Sequence, residues 1–201
     1  MALAEKGNSM ARVNVLGVHV AALDLSDLLE RAVIFAAEGK RHQVMYVNVS
    51  VLNIAYRDPE LQRILNAADL VYCDGMGVVW GARLLGYRLP RRMTGADWIY
   101  QACARWRDSS RSLFILGGRP GIAEAAAAKL RQGVPGLQIA GTHQGFFVDP
   151  LQVVDTINAA GPDVIIVAER QPLARGAANS QVARCAHSTG CVNANQAHPR
   201  V

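Results

Sequence analysis

Residues 44–75, VMYVNVSVLNIAYRDPELQRILNAADLVYCDG, indicate an α/β fold. Residues 44–49 and 69–73 are short apolar runs with the length and composition typical of buried strands. The sequence between them has helical character, and Asp58 followed by Pro59 is a typical N-cap and first helical position. A strand, a helical segment and a second strand in this order favour a parallel sheet covered by helices.

The same alternation continues in both directions from this stretch. Further strands are predicted at residues 13–20, 112–116, 137–140 and 164–167. Helices are predicted from Asp24 or Ser26 to residue 38, and at residues 76–85, 96–107, 120–133 and 150–160. We therefore expect one Rossmann-like α/β domain at residues 13–168, with a mainly parallel sheet sandwiched by helices. Residues 1–12 are expected to be a flexible N-terminus. Residues 169–201 are expected to be a poorly ordered tail, because they show no sustained period.

The composition is that of a globular protein. Of the 201 residues, 51% are apolar and 18% are charged, and the formal net charge is +5. A modest positive charge suits an acidic ligand, an anionic membrane surface or a nucleic acid. No nucleic-acid motif occurs and aromatic residues do not interleave with the arginines. Binding of a nucleic acid is therefore the least supported of these three interpretations. No signal peptide or transmembrane run is found, so any membrane contact is expected to be peripheral.

The cysteine pattern points to a reducing cytoplasm. Four cysteines occur, none in a CxxC pair and too few for a disulfide scaffold. Cys185, His187 and Cys191 lie close together in the sequence, but no second ligand pair has normal zinc spacing, so no metal site is expected.

Three predicted strands end in polar or glycine-rich residues, and such ends gather at one edge of a parallel sheet. They are Asn48, Asp74 with Gly75, and Gly117 with Gly118, and we expect them to form a single cleft. Asp74 is either a general base or a turn aspartate that caps the next helix. Asn48 on local grounds is more typical of a cap, and the glycine pair suits either a phosphate at a helix N-terminus or a tight turn.

Two further segments carry candidate ligand-binding residues. An arginine cluster that includes Arg92 precedes Thr94 and Asp97, and arginine grips phosphates through its planar fork. The structural alternatives are that the arginines form a solvated basic loop, and that Asp97 is an acid in the first turn of a helix that complements the helix dipole. Residues 141–147 follow another strand, and within them His143 could bond a nucleotide or sugar, although a loop histidine is more often structural. Tyr46 is expected in the core.

The order of these motifs is more specific than any one of them. The series YVNVSVLN, RDPELQRILNAADLVYCDGMGVVWGARLLG, LPRRMTGADW, SLFILGGRPGIAEAAAAKL and GLQIAGTHQGFF resembles the WecG/TagA/CpsF family of bacterial glycosyltransferases across residues 13–167. The resemblance implies a hexosyltransferase-type enzyme of cell-envelope or exopolysaccharide biosynthesis. It would transfer N-acetylmannosamine, its uronic acid or glucose from a UDP-sugar to a sugar on polyprenyl diphosphate. It also implies a place at the inner face of the cytoplasmic membrane, no cofactor, and allows a homo-oligomer.

The same resemblance implies roles for individual residues. Asp74 would be the general base of an inverting, metal-independent transfer, and Asn48 would contact the sugar or the acceptor. The remaining candidates would bind substrate, with Arg92 on a phosphate and the glycines near the nucleotide: Gly75, Arg92, Thr94, Asp97, Gly117, Gly118, His143 and Gly145.

Two departures from the family pattern stand out. Tyr46 occupies a position where many members have threonine, which puts the identity of the sugar or acceptor in doubt. The family usually continues after the strand at residues 164–167 with a glycine-rich turn and a P-x-Q-E element, which residues 168–201 lack. We hypothesise that a frameshift or gene-end error replaced the native C-terminus. The alternative function is then an inactive nucleotide-binding remnant of the family.

Overall fold

The fold is taken from a computed structural model that describes residues 11–168 and the backbone of residues 190–193. Its centre is a six-stranded parallel sheet. The strands of this sheet are β3 Gln43–Val47, β4 Leu70–Cys73, β5 Ser112–Gly117, β6 Gln138–His143, β7 Val164–Ala168 and β8 Gly190–Asn193. Their order across the sheet is β4-β3-β8-β7-β5-β6. The predicted α/β fold with a mainly parallel sheet is confirmed.

Seven helices lie in the described part of the chain: α1 Leu25–Ala37, α2 Val49–Arg57, α3 Pro59–Ala67, α4 Met76–Leu84, α5 Gly95–Asp108, α6 Ile122–Gly133 and α7 Pro150–Ala160. Helix α6 begins two residues later than predicted, because Gly121 adopts a left-handed conformation (φ 84°) at its N-cap. None of these helices combines the length and apolar character that crossing a bilayer requires.

The strand predicted at residues 13–20 is wrong, because the structure has a hairpin there. Strands β1 Arg12–Val15 and β2 Val18–Ala21 pair in antiparallel fashion as a separate two-stranded sheet. Leu16 and Gly17 both have positive φ, at 52° and 87°, as the central residues of a tight hairpin turn require. The Gly17 amide donates to Oδ1 of Asn14 at 2.8 Å, which holds the turn.

Both faces of the large sheet are buried, which explains why its strands are continuous apolar runs. Alternate residues of β4 enter different clusters: Leu70 and Tyr72 face the cluster formed with α1, α5 and α6, whereas Val71 and Cys73 face the cluster formed with the hairpin and α2–α4. Burial of each such aliphatic side chain contributes roughly 1.5–3 kcal/mol, so the layers hold the strand ends in place.

Strand β8 lies inside the segment expected to be a poorly ordered tail. Gly190–Asn193 pairs with both β3 and β7, and its four residues therefore close the gap between the two halves of the sheet. For these four residues the structure differs from the expected poorly ordered tail. A short segment can be held as a strand by two neighbouring strands even where its own sequence shows no periodic pattern. The rest of residues 169–201 lies outside the described residues.

Candidate functional site

The predicted strand ends lie at one edge of the sheet, in two groups. Asn48 and Asp74 follow the neighbouring strands β3 and β4, and the Asp74 amide donates to the Val47 carbonyl at 2.8 Å. Gly117 ends β5 and His143 ends the adjacent β6. Three strand spacings separate β3 from β5, which is about 14 Å. We call the first group the aspartate half and the second the glycine half of the edge.

Asp74 is held against the loop that precedes α5. The Met93 amide donates to the Cys73 carbonyl at 2.9 Å, which fixes this loop beside the end of β4. Partial burial raises the pKa of the Asp74 carboxyl, the positive charge of Arg92 opposes the rise, and the negative charge of Asp97 adds to it. The net effect is a raised pKa, and a carboxylate of raised pKa is a better proton acceptor.

Arg92 is exposed and borders a groove of about 700 Å³ between the start of α1, the arginine loop and α5. This volume lies within the range of ligand sites in proteins. Its lining combines three guanidinium groups with two carboxylates: Asp24, Leu25, Ser26, Leu29, Pro90, Arg91, Arg92, Met93, Asp97, Gln101 and Arg105. A groove with these arginines suits an anionic ligand, and Arg92 connects it to Asp74, because its positive charge acts on the Asp74 carboxyl.

Thr94 and Asp97 form the N-terminal cap of α5. The Thr94 amide donates to Oδ2 of Asp97 at 2.9 Å, and the Asp97 amide donates to the Thr94 carbonyl at 2.9 Å. The hydrogen bonds from Thr94 are the largest cause of the lowered pKa of Asp97. The carboxylate therefore caps the start of the helix, a structural role in the first turn where the sequence analysis offered an acid that complements the dipole. Substrate binding by these two residues stays a prediction.

Asn48 also has a local structural role, as the N-cap of α2. Its Oδ1 accepts from the Val51 amide at 3.0 Å, and the residue is half-buried. This cap uses the oxygen of the side chain, whereas the amide nitrogen carries the donors that could reach a ligand. The structure therefore confirms the cap and leaves contact with a sugar as a prediction.

Gly75 caps α4 with φ 106°, a conformation that side chains other than glycine rarely adopt. It allows the chain to turn directly from Asp74 into the helix. Two residues on, a Cβ at Gly77 would collide with Cγ2 of Val49 at the start of α2. The glycines of this segment therefore let α2 and α4 begin side by side at the aspartate half.

Tyr46 belongs to the aspartate half, a role that the sequence reasoning from residues alone missed. It lies opposite Tyr72 in the β3–β4 register, and the two rings are 6.0 Å apart. Burial, followed by the negative charge of Asp74, raises the pKa of Tyr46 to about 12. The signal was the period of two along β3, which places Tyr46 on the same face as position 48. Tyr46 is half-buried and packs on the core, so the core expectation is met in part.

In the glycine half, the backbones approach too closely for side chains. A Cβ at Gly117 would overlap the Ala168 carbonyl, and one at Gly145 would lie 3.1 Å from both the Gly117 Cα and the Gly118 nitrogen. The Gly145 amide donates to the Gly118 carbonyl at 2.8 Å. Close packing explains the glycines at positions 117 and 145, and a φ of 75° explains Gly118. The turn ends at the N-terminus of α6, where backbone amides favour anions.

His143 is the last residue of β6, because this strand extends three residues beyond the predicted end at residue 140. Its Nδ1 lies 2.7 Å from the Gln144 carbonyl oxygen, and Nδ1 is the donor in this hydrogen bond, since a carbonyl can only accept. The ring also packs edge-on against Phe147 at 6.0 Å. These contacts fix the imidazole and leave Nε2 as the atom that can reach a ligand.

Within residues 11–168, no three histidine, cysteine or acidic side chains come together in a geometry suited to a metal ion. Cys185 and His187 lie outside the described residues, and of Cys191 only the backbone is described.

Known proteins match most of the described chain. The sequence profile of the Glycosyl transferase WecG/TagA/CpsF family matches residues 13–175. An N-acetylglucosaminyldiphosphoundecaprenol N-acetyl-beta-D-mannosaminyltransferase of Bacillus spizizenii is 29% identical over 118 residues, 59% of this chain and 46% of the relative. A protein of the same name from Staphylococcus aureus strain NCTC 8325 is 26% identical over 169 residues, 83% of this chain and 66% of the relative.

The matched part thus spans between about half and two thirds of these relatives. The family profile covers well over half of the chain and includes both halves of the edge. This chain belongs to the WecG/TagA/CpsF family of glycosyl transferases.

Proposed function

We propose that the protein transfers a sugar from a UDP-sugar to a sugar carried on polyprenyl diphosphate. The observation that carries the proposal is a carboxylate of raised pKa, Asp74, at the sheet edge beside the arginine loop. The relatives are named for transfer of N-acetylmannosamine to N-acetylglucosaminyldiphosphoundecaprenol. For this chain N-acetylmannosamine, its uronic acid and glucose remain the candidate sugars.

The proposed reaction is a single displacement with inversion. Asp74 accepts the proton of an acceptor hydroxyl while that oxygen forms a bond to the anomeric carbon of the donor. The bond between the anomeric carbon and the diphosphate oxygen breaks, and its electron pair leaves with UDP. Burial raises the proton affinity of Asp74 and therefore supports this role, whereas the positive charge of Arg92 opposes the rise in its pKa.

Positive groups of the protein are proposed to meet the charge that develops on UDP. Arg92 and the groove that it borders supply guanidinium groups near Asp74. The turn at Gly117 and Gly118 supplies backbone amides at the start of α6. Such groups stabilise an anionic leaving group without a metal ion. We therefore propose a metal-independent transfer, with the donor lying along the edge between the two halves.

The test is transfer of labelled sugar from a panel of UDP-sugars to a polyprenyl-diphosphate-linked acceptor, with and without EDTA. We expect transfer that resists EDTA and identifies the donor sugar. The variant Asp74→Asn should lower turnover by about 10²–10⁴-fold and leave UDP affinity nearly unchanged, as loss of a general base predicts. Equal turnover of the variant would remove Asp74 from this role. UDP binding by a folded protein that transfers no sugar would instead favour a nucleotide-binding remnant.

A further inference from the structure

Helix α4 and the turn after it expose large apolar side chains beside the candidate site. Trp80 is 65% exposed and Leu84 is 89% exposed, and with Met76 they follow a spacing of four residues along one face of the helix. Leu85 and Tyr87 extend this surface beyond the helix. We call these five residues the α4 patch. Exposed apolar surface concentrated in this way is typical of an interaction site.

The opposite face of α4 anchors the patch to the fold. Val78 and Ala82 are buried in the cluster that contains the β1–β2 hairpin, and Leu89 is buried in the same cluster just after the patch. Because the inner face of α4 is packed in this cluster, the opposite, apolar face that carries the patch is exposed.

The charged residues in the segment that carries the patch have a single sign. Between Asp74 and Asp97 the chain has four arginines, no lysine and no acidic residue. These arginines are Arg83, Arg88, Arg91 and Arg92, and all four are exposed. An exposed apolar face with tryptophan and tyrosine, bordered by arginines, has the composition of a segment that lies in the interface of an anionic bilayer. A second copy of the same surface fits less well, because a symmetric contact would bring like charges together.

The α4 patch begins and ends at the candidate site. Gly75, the N-cap of α4, directly follows Asp74, and Met93, beyond the patch, is hydrogen-bonded to Cys73. A membrane that contacts the patch therefore lies next to the aspartate half of the edge. An acceptor held in the bilayer by its polyprenyl chain would be presented to Asp74 from this side.

We propose that the α4 patch docks the protein on an anionic lipid bilayer, with Trp80 inserted at the interface. The inference rests on the proposed function for its biological purpose, because a lipid-linked acceptor requires access to a membrane. Its test does not need that activity, since docking depends on the patch and on the lipid alone.

The intrinsic fluorescence of the protein reports this docking directly. Of the three tryptophans, Trp98 and Trp106 are 2% and 0% exposed, so Trp80 alone is open to a soluble quencher. The full chain would be mixed with vesicles of phosphatidylcholine, or of phosphatidylcholine with phosphatidylglycerol, both without polyprenyl lipid. We expect co-sedimentation with the anionic vesicles, weakened by salt, together with a blue shift and protection of Trp80 from the quencher.

Variants identify the surface. Trp80→Glu or Leu84→Glu should weaken binding to anionic vesicles by on the order of tenfold or more, because each removes a large side chain from the interface. Leu151→Glu is the matched control: Leu151 is 64% exposed, but it lies on α7, which packs on a different cluster. It should bind vesicles like the original chain.

Three results would overturn the proposal: no binding of the original chain to anionic vesicles, equal loss in the Leu151→Glu control, or protection of Trp80 that depends on protein concentration without vesicles. The last would identify a second copy as the occupant. Transfer to a water-soluble acceptor without vesicle binding would refute the docking alone. Vesicle binding through Trp80 without any sugar transfer would refute the proposed function alone.

Discussion

If Asp74 is the general base that we propose, it links catalysis with stability, because its pKa is raised in the folded protein. A raised pKa means that the folded state binds this proton more tightly than the unfolded state. Stability therefore falls as the pH rises through the window between the unfolded value and the raised folded value. Asp74→Asn removes the cost of the ionised form, and we expect its Tm at pH 7 to exceed that of the original chain by about 2 °C after allowance for partial exposure.

The higher Tm of Asp74→Asn should vanish below the pKa of the unfolded state, where the Asp74 carboxyl is protonated in both the folded and the unfolded protein. Scanning calorimetry measures this Tm. Asp97→Ala is the contrasting control. The pKa of Asp97 is lowered by its hydrogen bonds to Thr94, so loss of this carboxylate should lower the Tm at neutral pH. A lower Tm for Asp74→Asn at pH 7 would contradict the raised pKa.

Asn48 combines a cap with a proposed ligand contact, and two substitutions separate these roles. Asn48→Ser keeps a cap acceptor for the Val51 amide but loses the side-chain amide donors. We expect a Tm close to the original and a loss of about tenfold or more in kcat/KM. Asn48→Ala should in addition lower stability by about 1 kcal/mol, measured by urea unfolding. Unchanged kinetics of Asn48→Ser would leave Asn48 as a cap only.

Individual elements follow from the sequence where their signals are local. Asp58 caps α3 as predicted, and its Oδ1 accepts from the amides of Glu60 and Leu61 at 2.9 and 3.0 Å. The hairpin was missed because Leu16 adopts a positive φ that its residue type does not signal, so the apolar run reads as one strand.

Asp163 joins the starts of β5 and β7, and it offers a prediction at the scale of these elements. Its Oδ2 accepts from the Ser112 amide at 2.8 Å and from the Ser112 hydroxyl at 2.9 Å, and Oδ1 pairs with Arg111 at 3.0 Å. Burial alone would raise the pKa of Asp163, but these hydrogen bonds outweigh it and the pKa is lowered. Its stabilisation is therefore present at neutral pH and lost as the pH falls through the folded pKa.

We expect Asp163→Ala to lower the free energy of unfolding by about 2 kcal/mol at pH 7, because charge-assisted hydrogen bonds are lost. Urea titrations at pH 7 and at low pH measure the effect, and the difference from the original chain should shrink at low pH. Asp163→Asn keeps an acceptor for Ser112 and should cost less. A difference that is independent of pH would show that shape, rather than charge, makes the contribution.

At the scale of the whole molecule, the parallel sheet could be predicted but the order of its strands could not. Alternating strands and helices fix the class, whereas the order depends on which strands pair over long sequence separations. Strand β8 pairs with β7, the strand before it in the sequence, and also with β3, which lies in the first quarter of the chain. For this reason the sequence predicted one cleft, whereas the structure places its residues in two groups along the edge, with β8 and β7 between Asn48 and Gly117.

This separation predicts that the two halves contribute to different steps. Gly145→Ala would place a methyl group 3.1 Å from the backbone of Gly117 and Gly118 and push the β6 loop away from the turn. If UDP binds in the glycine half, the variant should weaken UDP binding several-fold, whereas Asp74→Asn should leave it nearly unchanged and lower turnover instead. Titration calorimetry with UDP measures the first effect and single-turnover kinetics the second. Gly81→Ala is a suitable control, because a Cβ there meets no atom within 4 Å. Equal UDP affinity of Gly145→Ala and the control would place the nucleotide elsewhere and would assign the phosphate contacts to the groove beside Arg92.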